Sequence, residues 1–149
     1  SRYSCITCLF DSMNHLSGMD SIAMAIRVAY LALADSGMLV FDLNTRKGFR
    51  RWNAVSFTDD GDTVIFNRGI YSDSMPFAIT KITGFTKNSD ETFERFDDTV
   101  QEVVVGMDEV RKCLKDTGFR NIRIANRAEL PGSCEDPESL TRAFFFAMK

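Results

Sequence analysis

Histidine is nearly missing from this chain: His15 is the only one among 149 residues. A structural zinc site needs four converging ligands, so with one histidine and four cysteines no metal site is expected. Long apolar runs are missing too. None approaches the roughly 18–20 residues that cross a bilayer, and no charged-then-apolar leader opens the chain. The expectation is a cytoplasmic protein with no membrane partner. Basic surplus is also lacking: 18 Lys and Arg stand against 21 Asp and Glu, a net charge of −3, which argues against nucleic acid as a partner. With 44% apolar and 26% charged residues the composition is globular, which excludes wholesale disorder. The length suits one domain with a core of its own. There is no initiator Met and an apolar run begins at Tyr3, so a processed chain or a piece of something longer is expected.

Cys5 and Cys8 form a Cys-x-x-Cys, the spacing of redox pairs. Here it falls inside SCITCLF, which reads as a strand. Residues three apart on a strand point to opposite faces, so the sulfurs do not meet. All four cysteines are expected to be buried structural thiols, with no disulfide framework.

Residues 3 to 9 form a short continuous apolar run, the pattern of a strand buried on both faces. A polar loop, FDSMNHLSGMD, follows. From Asp20 to Ala34, Ile22, Ile26, Ala29, Tyr30 and Leu33 recur at helical spacing, with Asp20 or Ser21 as a start cap and Gly37 past the end. Arg27 is the one basic residue of that helix, so most of its circumference should be covered. Met38–Leu43 is again a continuous apolar strand. Strand, helix and strand in about 40 residues make a βαβ unit with parallel strands. In open parallel sheets ligands bind beyond the carboxyl ends of the strands. The segments placed there are Phe10–His15 and Asp42–Gly48, both polar, and together they are the expected ligand site.

From Trp52 to about Val105 the chain is rich in Val, Ile, Thr and Phe. Turn signals fall at Asp59-Asp60-Gly61, Ser72–Pro76 and Lys87–Asp90. This spacing predicts a meander of four antiparallel strands, with a bulge near Lys81–Gly84. Such a block does not join a parallel sheet through short connections and is read as an inserted lid. Met107–Thr117 is helical, acidic at its start, basic toward its end and closed by Gly118. Phe119–Ala125 and Ala143–Met148 are strands, with a loop at Pro131–Pro137 between them.

Four segments in this order, YSCITCLFDSMNHL, LADSGMLVFDLNT, EVRKCLKDTGFRNIRI and RAFFFAMK, resemble the second half of class I S-adenosylmethionine-dependent methyltransferases. The likeness is nearest to those acting on glycine or amino sugars, and it spans essentially the whole chain. It implies an α/β fold: a partial Rossmann-like methyltransferase sheet, from the fourth strand onward, with an inserted antiparallel β meander. Residues 1–49 and 106–149 would form the C-terminal half of the Rossmann-like domain and 50–105 the lid. The family's cofactor loop, Gly-x-Gly, occurs nowhere in this sequence. The implied protein is therefore truncated, or draws its missing N-terminal half from another chain.

Mapped residue by residue, the resemblance implies S-adenosylmethionine contacts at Leu9, Phe10 and Asn14. It implies substrate contacts at Asp11, Asn44, Arg46, Trp52 and Tyr71, and a general base at His15. Plain alternatives stand beside these. Leu9 and Phe10 could be core, Asp11 and Asn14 loop chemistry, His15 a loop-fixing group, and Trp52 and Tyr71 cross-strand packing. The implied reaction is methyl transfer to a nitrogen or oxygen of a small polar molecule. The alternative is a non-catalytic domain that dimerises through its open sheet edge.

Overall fold

A computed structural model describes residues 2–149. Its first sheet contains β1 (Tyr3–Cys8), β2 (Leu33–Asn44), β7 (Arg120–Ala125) and β8 (Arg142–Met148), in the spatial order β1-β2-β8-β7. β1 and β2 are parallel and joined by α1 (Met19–Ala32), as the βαβ reading requires. β8 runs antiparallel to both its neighbours, between β2 and β7. The second sheet is the expected meander, β3 (Val55–Asp59), β4 (Thr63–Ile70), β5 (Phe77–Lys87) and β6 (Phe93–Val103), paired antiparallel in chain order. A five-residue helix, α2 (Arg46–Arg50), and α3 (Met107–Thr117) flank it in sequence.

The main core lies where α1 and α3 cover one face of the first sheet. Ile22, Ile26, Leu33, Leu39, Met107, Val110, Leu114 and Phe145 are all fully buried there. Phe41 and Phe145 stack across β2 and β8 with centroids 4.8 Å apart. Val110 and Leu114 are the inward face read for α3, while Cys113 is only partly buried. Gly118 closes α3 in the left-handed region, φ 110°, as its position suggested. A second, smaller apolar cluster of Phe49, Tyr71, Ala78 and Val104, with Trp52 against it, joins the meander to α2.

Several expectations fail, each for a local reason. α1 has no Asp20 or Ser21 cap; its N-cap is Gly18, with no side-chain cap bond. It ends at Ala32 rather than Ala34, so Gly37 does not close it. Lys149 Nζ donates to the carbonyls of Tyr30 (2.7 Å) and Leu33 (2.8 Å), placing a cation on the negative end of the helix and ending it without glycine. Gly37 instead lies inside β2, where a Cβ would meet the Ala34 carbonyl oxygen at 2.8 Å. The bulge expected near Lys81–Gly84 is absent, since β4, β5 and β6 pair without a register break. Gly84 makes room for the ring of Phe96 directly across the strand pair, so the glycine marks packing rather than a bulge. Register shifts occur instead between β1 and β2, where Ser36 takes a φ of 62°, and between β7 and β8, where Asn121 takes a φ of 49°.

β1 is not buried on both faces. It is an edge strand with Tyr3, Cys5 and Thr7 exposed, because β2 pairs with it on one side and, among the described residues, no strand pairs with its other edge. α1 is likewise uncovered on one side, where Met24, Val28 and Leu31 are exposed. The cysteines follow the same logic: Cys5 is exposed and the other three are partly exposed, rather than buried. Burial pushes the thiols of Cys8 and Cys113 above their usual value of 9.0. Alkylation near pH 8 should therefore modify Cys5 first, with Cys8 and Cys113 lagging at least several-fold; peptide mass spectrometry over time reads the order. Equal rates at Cys5 and Cys8 would show that β1 is covered in solution.

Candidate functional site

At the carboxyl ends of β1 and β2 the chain leaves the sheet into two segments that pack on each other. After β1, Phe10 and Asp11 both take left-handed backbone, with φ of 59° and 51°. For non-glycine residues this costs on the order of 1 kcal/mol each, and it persists because the surroundings fix it. The Asp11 N–H donates to Asp42 Oδ2 at 3.1 Å. A single 3₁₀ turn, Ser12–His15, follows. Asn14 within it is fully buried. Its Oδ1 accepts from the Asn44 N–H at 2.9 Å, and its Nδ2 donates to the Val103 carbonyl at 3.0 Å. Asn14 thus ties the first loop to the end of β2 and to the end of the meander, and its amide is used up in doing so.

Around that tie sits a compact polar cluster. Asn44 Nδ2 donates to Asp11 Oδ2 at 2.7 Å and to Glu102 Oε2 at 3.0 Å. Arg142, at the start of β8, donates from Nη2 to Asp11 Oδ2 at 2.5 Å and from Nε to Asn44 Oδ1 at 3.2 Å. Its Nη1 lies 3.2 Å from Asp42 Oδ2. Asp42 is 1% exposed, and its Oδ1 has no hydrogen-bond partner among the described residues. His15 stands at the rim with its Nε2 3.9 Å from Glu102 Oε1. Three carboxylates, those of Asp11, Asp42 and Glu102, therefore face one guanidinium and one imidazole. The balance is negative and largely shielded from water, a setting that favours a cationic group.

Glu102 is a buried acid of this cluster. Burial, first, and the Asp11 carboxylate hold its carboxyl above the usual 4.5, against the opposing effects of Asn44, His15 and Arg142. The folded chain therefore keeps this proton to higher pH than the unfolded chain does. Stability lent by protonated Glu102 is lost as pH rises from about 4.5 through the raised value. Glu102→Gln keeps an oxygen for Asn44 and removes the charge. Its melting temperature at pH 7–8 should lie about 2–4 °C above that of the parent, with the difference vanishing near pH 4. Thermal melts across pH 4–8 check this, and a lower melting point at pH 8 would overturn it.

Of the residues expected at the site, Asp11, Asn14, His15 and Asn44 come together here. Leu9 and Phe10 stand beside them at the end of β1 and are exposed, Phe10 at 81%. Trp52 and Tyr71 lie in the smaller apolar cluster, 5.0 and 5.6 Å ring to ring from Phe49. The Tyr71 hydroxyl donates to Asp73, whose carboxyl Arg46 also influences. Those three residues gather at the meander's junction rather than in the polar cluster. Asp42 opens the expected Asp42–Gly48 segment without having been singled out, and Glu102 and Arg142 lie outside both expected segments. Each is a charge inside an apolar run (LVFDL, QEVVV, TRAFFF), and a charge in a buried strand has to be paired.

No family model matches the chain. Two curated bacterial proteins, both provisionally named methyltransferases, are similar to it along its length. One, from Geobacillus sp. (strain WCH70), is 25% identical over 151 residues, covering 100% of this chain and 60% of that protein. The other, YqeM of Bacillus subtilis (strain 168), is 22% identical over 149 residues, covering 99% and 59%. The chain thus spans about three-fifths of the length of the curated relatives it matches. Among solved structures, an S-adenosylmethionine-dependent methyltransferase of Clostridium acetobutylicum superposes with a TM-score of 0.76 at 19% identity, covering 99% of this chain and 58% of that one. DesVI of Streptomyces venezuelae gives 0.77 at 14% identity, covering 98% and 58%. The sugar N-methyltransferase KedS8 of Streptoalloteichus gives 0.77 at 12%, covering 99% and 56%. The fold is accordingly that of the C-terminal half of a class I methyltransferase, an α/β sheet with an inserted antiparallel meander. Among the described residues no helix is long and apolar enough to cross a membrane, and no metal-binding cluster is present.

Proposed function

We propose that the chain supplies the substrate-facing half of an S-adenosylmethionine-dependent methyltransferase acting on a small polar molecule. The observation that carries this reading is the convergence of Asp11, Asn44, Glu102, Arg142 and His15 beyond the carboxyl ends of two parallel strands. The negative balance of that cluster favours an amine nitrogen over a hydroxyl oxygen as the methylated atom, since a protonated amine is drawn to it. The sugar N-methyltransferase KedS8 shares the fold, in keeping with that preference.

The residues fit only part of the cofactor. Leu9 and Phe10 offer an exposed apolar wall at the end of β1, suited to the sulfonium end, and no glycine-rich loop is present to cradle the adenosine. The cofactor supplies a methyl group already activated on sulfur, whose C–S electron pair stays with sulfur as the new bond forms. What remains for this chain is to orient the nucleophile, exclude water and accept a proton. Asp11 and Asn44, fixed by Arg142 and Asn14, orient the substrate, and Arg46 lies at the edge of the same loop. His15 accepts the proton. Trp52 and Tyr71 hold the meander as a lid from below. The glycine-rich part comes from a segment outside these 149 residues or from a partner. The four unpaired thiols suit the reducing cytoplasm.

Amide NMR of the chain during titration with S-adenosylhomocysteine tests the reading. Shifts confined to residues 9–15 and 42–46, even at millimolar ligand, are expected. Shifts elsewhere, or none, would refute it. A second reading is favoured by the open edge of β1 and the exposed face of α1: a non-catalytic domain paired as a homodimer. Sedimentation showing a stable dimer with no ligand response would select it.

A further inference from the structure

His15 and Glu102 come from different parts of the chain. His15 lies in the 3₁₀ turn after β1, and Glu102 is the penultimate residue of β6, the last strand of the inserted meander. The two oxygens of Glu102 are differently engaged. Oε2 accepts from Asn44 Nδ2 at 3.0 Å, whereas Oε1 accepts no hydrogen bond among the described residues and faces His15 Nε2 at 3.9 Å. Asn44 is itself locked through its backbone by Asn14, and through its Oδ1 by Arg142. Glu102 is 4% exposed, and it approaches the imidazole from the protein side. The His15 side chain is 42% exposed, so the rest of its ring is open to solvent or a ligand.

A carboxylate held beside one ring nitrogen favours the proton on that nitrogen and leaves the other as the acceptor. We propose that Glu102 is the positioning residue for His15, keeping the neutral imidazole protonated at Nε2 and presenting Nδ1 as the proton acceptor of the site. This rests on the methyltransferase reading for its purpose but not for its test. It makes the inserted meander part of the proton-accepting machinery, because the strand that ends the lid carries the group that aims the base. The other charged groups of the cluster reach Glu102 through Asn44, and Asp42 is held by Arg142. Arg142 and Asp11 are bonded to each other and, through Asn44, to Oε2 rather than to Oε1.

His15 is the sole histidine, so its imidazole gives one set of signals in long-range proton–nitrogen NMR of the intact 149-residue chain, without any ligand. At alkaline pH the ring should show a single tautomer, with Nε2 protonated and Nδ1 bare. On acidification its ring resonances should show an added inflection as Glu102 takes its own proton. Glu102→Gln should abolish that inflection, and Asp11→Asn should leave it in place. Glu102→Asp, which keeps the charge but withdraws it by one methylene, should retain it with reduced amplitude. It serves equally if the Gln variant does not fold. A rapidly averaging tautomer mixture in the parent chain would overturn the assignment, as would an inflection that survives Glu102→Gln or disappears with Asp11→Asn. A merely structural Glu102 moves backbone signals and leaves the imidazole tautomer alone. Failure of S-adenosylhomocysteine to bind would remove the methyltransferase reading without altering the imidazole result.

Discussion

Arg142→Met should destabilise the chain by about 3 kcal/mol, the lower end of the cost of breaking a buried pair by removing one partner, since Asp42 is buried but Arg142 is 30% exposed. Among the described residues Arg142 is the only guanidinium touching Asp11 and Asp42, and it also holds Asn44 Oδ1. Without it, Asp42, 1% exposed and already carrying an unpartnered Oδ1, would sit in the sheet next to a second uncompensated carboxylate. A domain of ordinary stability holds only about 5–15 kcal/mol, so the variant would lose a large share of it. Urea titration followed by circular dichroism reads the loss as a lower midpoint at unchanged slope. Arg142→Lys should recover little, because one ammonium does not reach Asp11, Asp42 and Asn44 together. A loss under 1 kcal/mol in Arg142→Met would mean that water or another cation compensates the pair.

Gly48→Ala should be as damaging, at about 3 kcal/mol, although alanine ordinarily improves a helix. Gly48 lies in α2, and a Cβ there would stand 2.1 Å from the Thr141 carbonyl oxygen and 3.1 Å from its carbon. The contact cannot relax cheaply, since both segments are tied together. Thr45 Oγ1 donates to the Leu140 carbonyl and accepts from the Gly48 N–H, and the Thr45 N–H donates to Thr141 O at 3.3 Å. An added methyl would pry Arg142 and Asn44 apart, so the polar cluster should loosen along with the fold. Amide exchange at Asn44 and Thr45 should accelerate more than in β4 or β5. Near-neutral stability of Gly48→Ala would show that residues 137–142 yield freely.

The two predictions turn on residues the sequence made visible to different degrees. The βαβ unit could be read because Ile22, Ile26 and Leu33, and the runs of β1 and β2, carry the periods of a helix and of buried strands. The meander was legible in its turns. The two loops at the strand ends followed from topology alone, while Asp11, Asn14, His15 and Asn44 within them were singled out by the family resemblance. Arg142 and Glu102 could not be named in advance, because their partners lie up to 131 residues away and pairing at that range leaves no local pattern. The exposed side of α1 misled for the opposite reason. Met24, Val28 and Leu31 look like core, yet nothing among the described residues covers them. Gly37 and Gly84 show that glycine marks close approach as often as it marks a turn.

The place of β8 bears on how the chain is made. Residues 142–148 form an interior strand, with β2 and β7 bonded to its two sides and Phe145 stacked on Phe41. During synthesis the βαβ unit, the meander and β7 all emerge before it. The first sheet therefore stays split down its middle until residues 142–148 have emerged, with the facing edges of β2 and β7 unsatisfied in the meantime. The meander, whose pairings are all between neighbours in sequence, is free to close early. A stop placed before residue 140 would leave a correct second sheet beside a first sheet that never closes. Such a product is a substrate for proteases rather than a slightly shorter version of the protein.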